Sequence, residues 1–196
     1  MNLIFDRVRS TIPSSLGILL ALAMLVWASA TPAAGPAPAQ PLAKYEIRFM
    51  EEMIEHHAMA THMAMICMDK AVHPELREMC HQIHTTQQEE ISMMQGWLSG
   101  WYGSSFQPQM SPGAMKQMEK LASLSDAEFE ITFMRQMIRH HWLAINRAST
   151  CMERAYHPEL IDMCEGIVET QAAEITQLRT WLCEWYGFCD RRKIRE

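Results

Sequence analysis

Residues Phe49 to Gly103 read "FMEEMIEHHAMATHMAMICMDKAVHPELREMCHQIHTTQQEEISMMQGWLSGWYG". The chain repeats them as "FMRQMIRHHWLAINRASTCMERAYHPELIDMCEGIVETQAAEITQLRTWLCEWYG" from Phe133 to Gly187. The two stretches align without a gap and about half their positions are identical, which marks a duplicated supersecondary unit. Each copy has helical periodicity on both sides of a His-Pro dipeptide. Proline disfavours helix at the residue before it and suits the first turn of the next helix. The expected helices are Tyr45–Ala71 and Pro74–Trp101 in the first copy, and Asp126–Ala155 and Pro158–Tyr186 in the second. Gly103 stops the first hairpin, and Ser125 with Glu128 resembles a capping box. Residues 104–125 link hairpin repeats 45–103 and 126–187, with a short helix expected at Ala114–Leu121. Two hairpins that bury their apolar stripes together make an all-α four-helix bundle over residues 44–190.

Outside the repeats the chain reads differently. Arg7 and Arg9 precede the apolar run "SLGILLALAMLVWASA" (Ser15 to Ala30), which ends in small residues. Residues 1–30 are expected to be a secretory signal peptide, since the run is shorter than the ~20 residues of a spanning helix. The mature chain then begins near Thr31, exported to the periplasm, with no membrane attachment after cleavage. Residues 31–43 read as an Ala/Pro-rich disordered linker and 191–196 as a charged tail. The net charge of −6 argues against nucleic acid, which calls for a basic stripe.

Helical projection places Met50, Met53, His57, Ala60, Ala64 and Ala71 on one face of the first helix. Leu76, Ile83, Gln87, Glu90, Met94 and Trp101 share a face of the second. Counted from the bend, His57 and Glu90 fall at nearly the same level, as do His141 and Glu174. Two histidines and two glutamates are therefore expected near the bundle centre, flanked by Gln87 and Gln171. Two readings remain open. The layer holds a metal, as carboxylate–histidine bundle sites do, or each Glu accepts a hydrogen bond from a His in a paired polar layer. The Glu-x-x-His pattern of di-iron bundles is absent, because Gln87-x-x-Glu90 puts an amide in its place.

The halves differ in a directed way. Met59, His62, Met63 and Met65 stand where the second half has Leu143, Asn146, Arg147 and Ser149. His81 and His84 stand opposite Glu165 and Val168, and Met93 and Met94 opposite Gln177 and Leu178. Polar residues at several of these places imply that the methionines face solvent. His56, Met59 and Met63 form one stripe; Met59, His62 and Met65 step by three along another. Thioethers prefer Cu(I), and imidazole accepts Cu(I) or Cu(II). Methionine also fills adaptable apolar surface. The mixture of Met and His in an exported chain favours copper.

Cys67 and Cys80 flank the first bend, and Cys151 and Cys164 the second. In an exported chain they are expected to pair as Cys67–Cys80 and Cys151–Cys164, with Cys183–Cys189 closing around Gly187. The alternative makes Cys67, amid Met65, Met68 and Met79, a Cu(I) thiolate.

With "FMEEMIEHHAMA", "HPEL" and the later Gln-x-x-Glu-Ile and Trp positions, the chain resembles the family called domain of unknown function 305, over about Tyr45 to Gly187. The resemblance implies a ferritin-like bundle, export, and copper binding through surface Met and His. His56, His57, His140 and His141 match the family's His-His pair, while the Met-rich pattern is matched in the first half only. The expected function is a periplasmic copper-binding protein that sequesters or delivers copper ions, in exchange with a copper transporter or efflux component. The expected metal residues are His56, His57, Met59, His62, Met63, Met65, His81, His84, His140 and His141, supplemented by Met53, Glu90, Met93, Met94 and Glu174. No nucleophile–base pair or phosphate loop is present, so an enzyme is not expected. Two rivals stand beside this: a redox enzyme built on the His57/Glu90/His141/Glu174 layer, and a metal-free interaction module with a Met-rich face.

Overall fold

The computed structural model describes residues 35–189. The expected signal segment and charged tail lie outside the described residues. Five helices follow in order: α1 (Gln40–Lys70), α2 (Pro74–Tyr102), α3 (Pro112–Ala122), α4 (Asp126–Arg154) and α5 (Pro158–Tyr186). Among the described residues there is no strand, and no helix is long and apolar enough to cross a membrane. Pro74 and Pro158 open α2 and α5, where a missing N–H costs nothing, and Gly103 and Gly187 close them at φ +60 and +72. The hairpins α1–α2 and α4–α5 pack along the α1–α4 seam into the four-helix bundle.

Two helix starts and one cap differ from the sequence reading. The linker expected to be disordered up to residue 43 is helical from Gln40, because Pro41 sits in the first turn, where proline suits a helix. Before it, Ala37 is buried, and the Gly35 carbonyl lies 3.0 Å from Nε2 of His157. The capping box does not form: Ser125 is the N-cap residue, but its side chain makes no cap bond, and Asp126 adopts φ +50. The capped short helix is α3 instead, where Ser111 Oγ accepts from the Ala114 N–H.

The inward faces are those the periodicity indicates. Met50, Met53, His57, Ala60 and Ala64 are fully buried on α1, as are Leu76, Ile83 and Met94 on α2. Each end of the bundle is closed by a clamp between the hairpins. Glu46, fully buried, accepts from the backbone N–H groups of Tyr156 and His157, from His157 Nδ1 at 2.6 Å, and from the Tyr102 hydroxyl. Glu130 does the same at the other end with Val72, His73 and Tyr186. Each histidine ring also stacks on a tryptophan, His157 on Trp101 and His73 on Trp185, both with centroids 3.8 Å apart. The carboxylates thus satisfy the backbone N–H groups that lead into α5 and α2.

All six cysteines are paired, as Cys67–Cys80, Cys151–Cys164 and Cys183–Cys189. The thiolate reading of Cys67 is overturned, since its sulfur is bonded to Cys80. Each hairpin clamp joins cysteines 13 residues apart. Cys67→Ala with Cys80→Ala is expected to cost about 3 kcal/mol in urea denaturation. Cys67 and Cys80 are fully buried while Cys189 is exposed. Mild dithiothreitol should therefore open Cys183–Cys189 first, as mass mapping of alkylated peptides would record; opening of Cys67–Cys80 first would contradict this.

Candidate metal centre

Four histidines meet at mid-bundle because α1 and α4 each carry a His-His pair and cross there. The His56 and His140 rings stack with centroids 3.6 Å apart, and His57 and His141 flank them at 6.1 and 6.2 Å. His57 Nε2 donates to Glu90 Oε2 at 2.7 Å. His141 Nε2 lies 2.7 Å from Glu174 Oε2 but out of line for a hydrogen bond. The carboxylates converge from the other side. Gln87, Glu90, Gln171 and Glu174 line a cleft of about 10 Å³ between α2 and α5, on the scale of a single water molecule.

The layer expected from sequence therefore exists, and His57–Glu90 is the paired arrangement. The flanking histidines differ. Both ring nitrogens of His56 and of His140 are buried with no hydrogen-bond partner, as is Nδ1 of His57 and of His141. Burial pushes His140 down to about 3, helped by His141 and His57. Burial likewise holds His56 far below the usual histidine range, with His140 and His57 adding to it. Neutral imidazoles with unused lone pairs are the form that binds metal. Even so, among the described residues no three His, Cys, Asp or Glu converge in a metal-holding group.

A cleft of about 250 Å³ leads outward from His56, lined by Glu52, Glu55, Met59, Met110 and Arg147. Met110 belongs to the linker before α3 and did not stand out in the sequence, because no repeat partner marks it.

The remaining predicted residues divide by exposure. His62, Met65, His81 and Met93 face solvent, and Met59 and His84 are half-buried. His62 Nδ1 donates to the Ala58 carbonyl at 2.9 Å, which leaves Nε2 with its lone pair. Met53, Met63 and Met94 are buried, each no more than 1% exposed. For Met63 and Met94 this corrects the expectation of a solvent-facing thioether. Met94 packs as Leu178 does in the other half. Met63 is covered by α3, whose Met118 and Leu121 share its apolar cluster. Because α3 occurs once, comparing the halves misleads wherever it lies.

The chain belongs to the DUF305 family, domain of unknown function, matched over residues 46–182. Its fold is similar to that of CopM in the Cu(I)-bound form, with 32% identity, TM-score 0.66, and coverage of 72% of this chain and 98% of that one. CopM in the Cu(II)-bound form matches equally well, at 32% identity and TM-score 0.66 over 72% and 97% of the two chains. A DUF305 fragment from Deinococcus radiodurans is 25% identical with TM-score 0.63, covering 76% and 97%. No curated protein matches the chain.

Proposed function

We propose that this chain is an exported copper-binding protein that holds copper for sequestration or delivery, without catalysing a reaction. The observation that carries the reading is its likeness, over nearly the whole of the relative, to a protein solved with Cu(I) and with Cu(II). The donors suit both ions. The exposed thioethers of Met65 and Met93 and the half-buried one of Met59 offer soft ligands, and His56, His62, His81 and His84 offer imidazole nitrogens. Three disulfides fit a chain that matures in an oxidising compartment such as the periplasm. A carrier releases its cargo by ligand exchange, and exposed donors on helix surfaces are open to an incoming ligand from a transporter or efflux component.

The test is a titration with competing chelators under reducing and then oxidising conditions. Met59→Leu with Met65→Leu and Met93→Leu should weaken Cu(I) at least tenfold while the thermal midpoint stays within a few degrees, since volume-conserving swaps cost less than ~1.5 kcal/mol. His62→Asn should weaken Cu(II). The mirror change in the second half, Met152→Leu, should leave both affinities unchanged. Unaltered copper affinity in the first set would remove the surface sites from the proposal.

A further inference from the structure

The seat of α3 has an uncovered twin. α3 lies on the seam between the later half of α1 and the early half of α4, with Met118 and Leu121 packed among Met63, Phe129 and Phe133. The repeat that pairs Glu46 with Glu130 carries this seam onto the one between the start of α1 and the end of α4. Tyr45 and Phe49 there stand for Phe129 and Phe133, and Arg147 stands for Met63. Among the described residues no helix covers it, and there is an open groove of about 530 Å³.

Tyr45 and Phe49 supply the apolar part of the groove, and Lys44, Arg48, Arg147 and Arg154 line it against a single carboxylate, Glu52. Arg48 takes that carboxylate at 2.7 Å, and Arg154 lies over the Tyr45 ring, 4.4 Å from its centroid. The equivalents of the four cations at the α3 seat are Glu128, Thr132, Met63 and Lys70, so the duplicated fold does not require this charge. Four cations gather here in a chain of net charge −6.

We infer that this groove is the docking seat for an acidic amphipathic helix of a partner protein, bound as α3 is bound on the other half of the α1–α4 seam. Apolar anchors of that helix take the place of Met118 and Leu121 over Phe49 and Tyr45, and its carboxylates face the four cations. The occupant is not this chain's own tail, whose Arg191, Arg192, Lys193 and Arg195 carry the same sign as the groove. Nor does the α3 of a second copy suit it, since that helix brings Lys116 and Lys120.

The test uses the intact protein and two labelled peptides of residues 111–123, one unaltered and one carrying Lys116→Glu with Lys120→Glu. Fluorescence anisotropy should find the acidic peptide bound at least tenfold more tightly than the unaltered one, and weakening as salt rises. Arg147→Glu with Arg154→Glu should reduce that binding at least tenfold. Thr150→Trp, which fills the groove without changing its charge, should do the same. All three positions are exposed, and circular dichroism would confirm that each variant folds. Equal binding of the two peptides, binding that neither variant disturbs, or no binding at low salt overturns the inference. So does displacement of the peptide by an equal concentration of inorganic phosphate, which would make the groove a small-anion site. Dimerisation in sedimentation equilibrium that Arg147→Glu abolishes would seat a second copy there and overturn it equally.

Discussion

Glu46→Ala is expected to destabilise the bundle by on the order of 3–5 kcal/mol, the range for removing one partner of a buried charged network. The carboxylate is fully buried and accepts four hydrogen bonds, from Tyr102, His157 and two backbone N–H groups. Truncation strands all of those donors at once, and three of them belong to the other hairpin. Glu130→Ala should cost a similar amount at the opposite end, and the double variant should leave the hairpins unable to dock. Glu46→Gln keeps one acceptor oxygen for the two backbone groups and should cost less, about 1–3 kcal/mol. Urea denaturation reads each value; a loss below about 1 kcal/mol for Glu46→Ala would show that the clamp does not hold the bundle.

The clamp also sets an acid limit. Burial alone would raise the Glu46 carboxyl, but the bonds from Tyr102, His157 and Tyr156 outweigh it and hold it below its ordinary value of 4.5. Glu130 is lowered in the same way by Tyr186, His73 and Val72. A carboxyl lowered in the folded state binds its proton more weakly than in the unfolded chain. Its stabilisation is therefore complete above the unfolded value and is lost as pH falls below it. Glu46→Gln with Glu130→Gln should accordingly lose less of its remaining stability than the unaltered protein as pH drops below 4.5.

The duplication made most of the fold legible, because comparing one half with the other filtered structural positions from incidental ones. His73-Pro74 and His157-Pro158 break helices, as proline predicts, but the rings do more than that. Glu46, Glu130, Tyr102 and Tyr186 are repeated too, yet an acidic residue early in a helix looks like an ordinary surface charge, so the sequence alone does not single out the clamp. Met63 failed for the opposite reason. Its repeat partner Arg147 is exposed, yet α3 covers only one of the two seams. Pairing distances across the bend placed His57 and Glu90 together, since both lie within one hairpin. The contact between His56 and His140 depends on how α1 crosses α4, which no count along the chain supplies.

That contact leads to the second large effect. His56→Leu with His140→Leu should stabilise the metal-free protein at pH 7 by about 1–3 kcal/mol, because it removes buried polar nitrogens that lack partners and leaves apolar groups of similar volume. The gain should widen in acid. His140 is pushed down to about 3 by burial and by its neighbours His141 and His57, and His56 is lowered by burial, His140 and His57. Below pH ~6.5 the unfolded chain takes up protons at both positions while the folded bundle does not. Each histidine then removes about 1.4 kcal/mol of stability per pH unit, a decline that begins well above the range in which Glu46 and Glu130 act. The double variant should lack most of this slope between pH 6 and 4 in denaturation series. If its slope matches that of the unaltered protein, the two imidazoles are not held neutral. Copper affinity measured on the same variant separates two uses of the bundle interior. A large loss would place metal at the stacked rings, and the instability of the metal-free layer would be the cost of keeping ligands ready. Unchanged affinity would confine copper to the donors on the surface of the first hairpin.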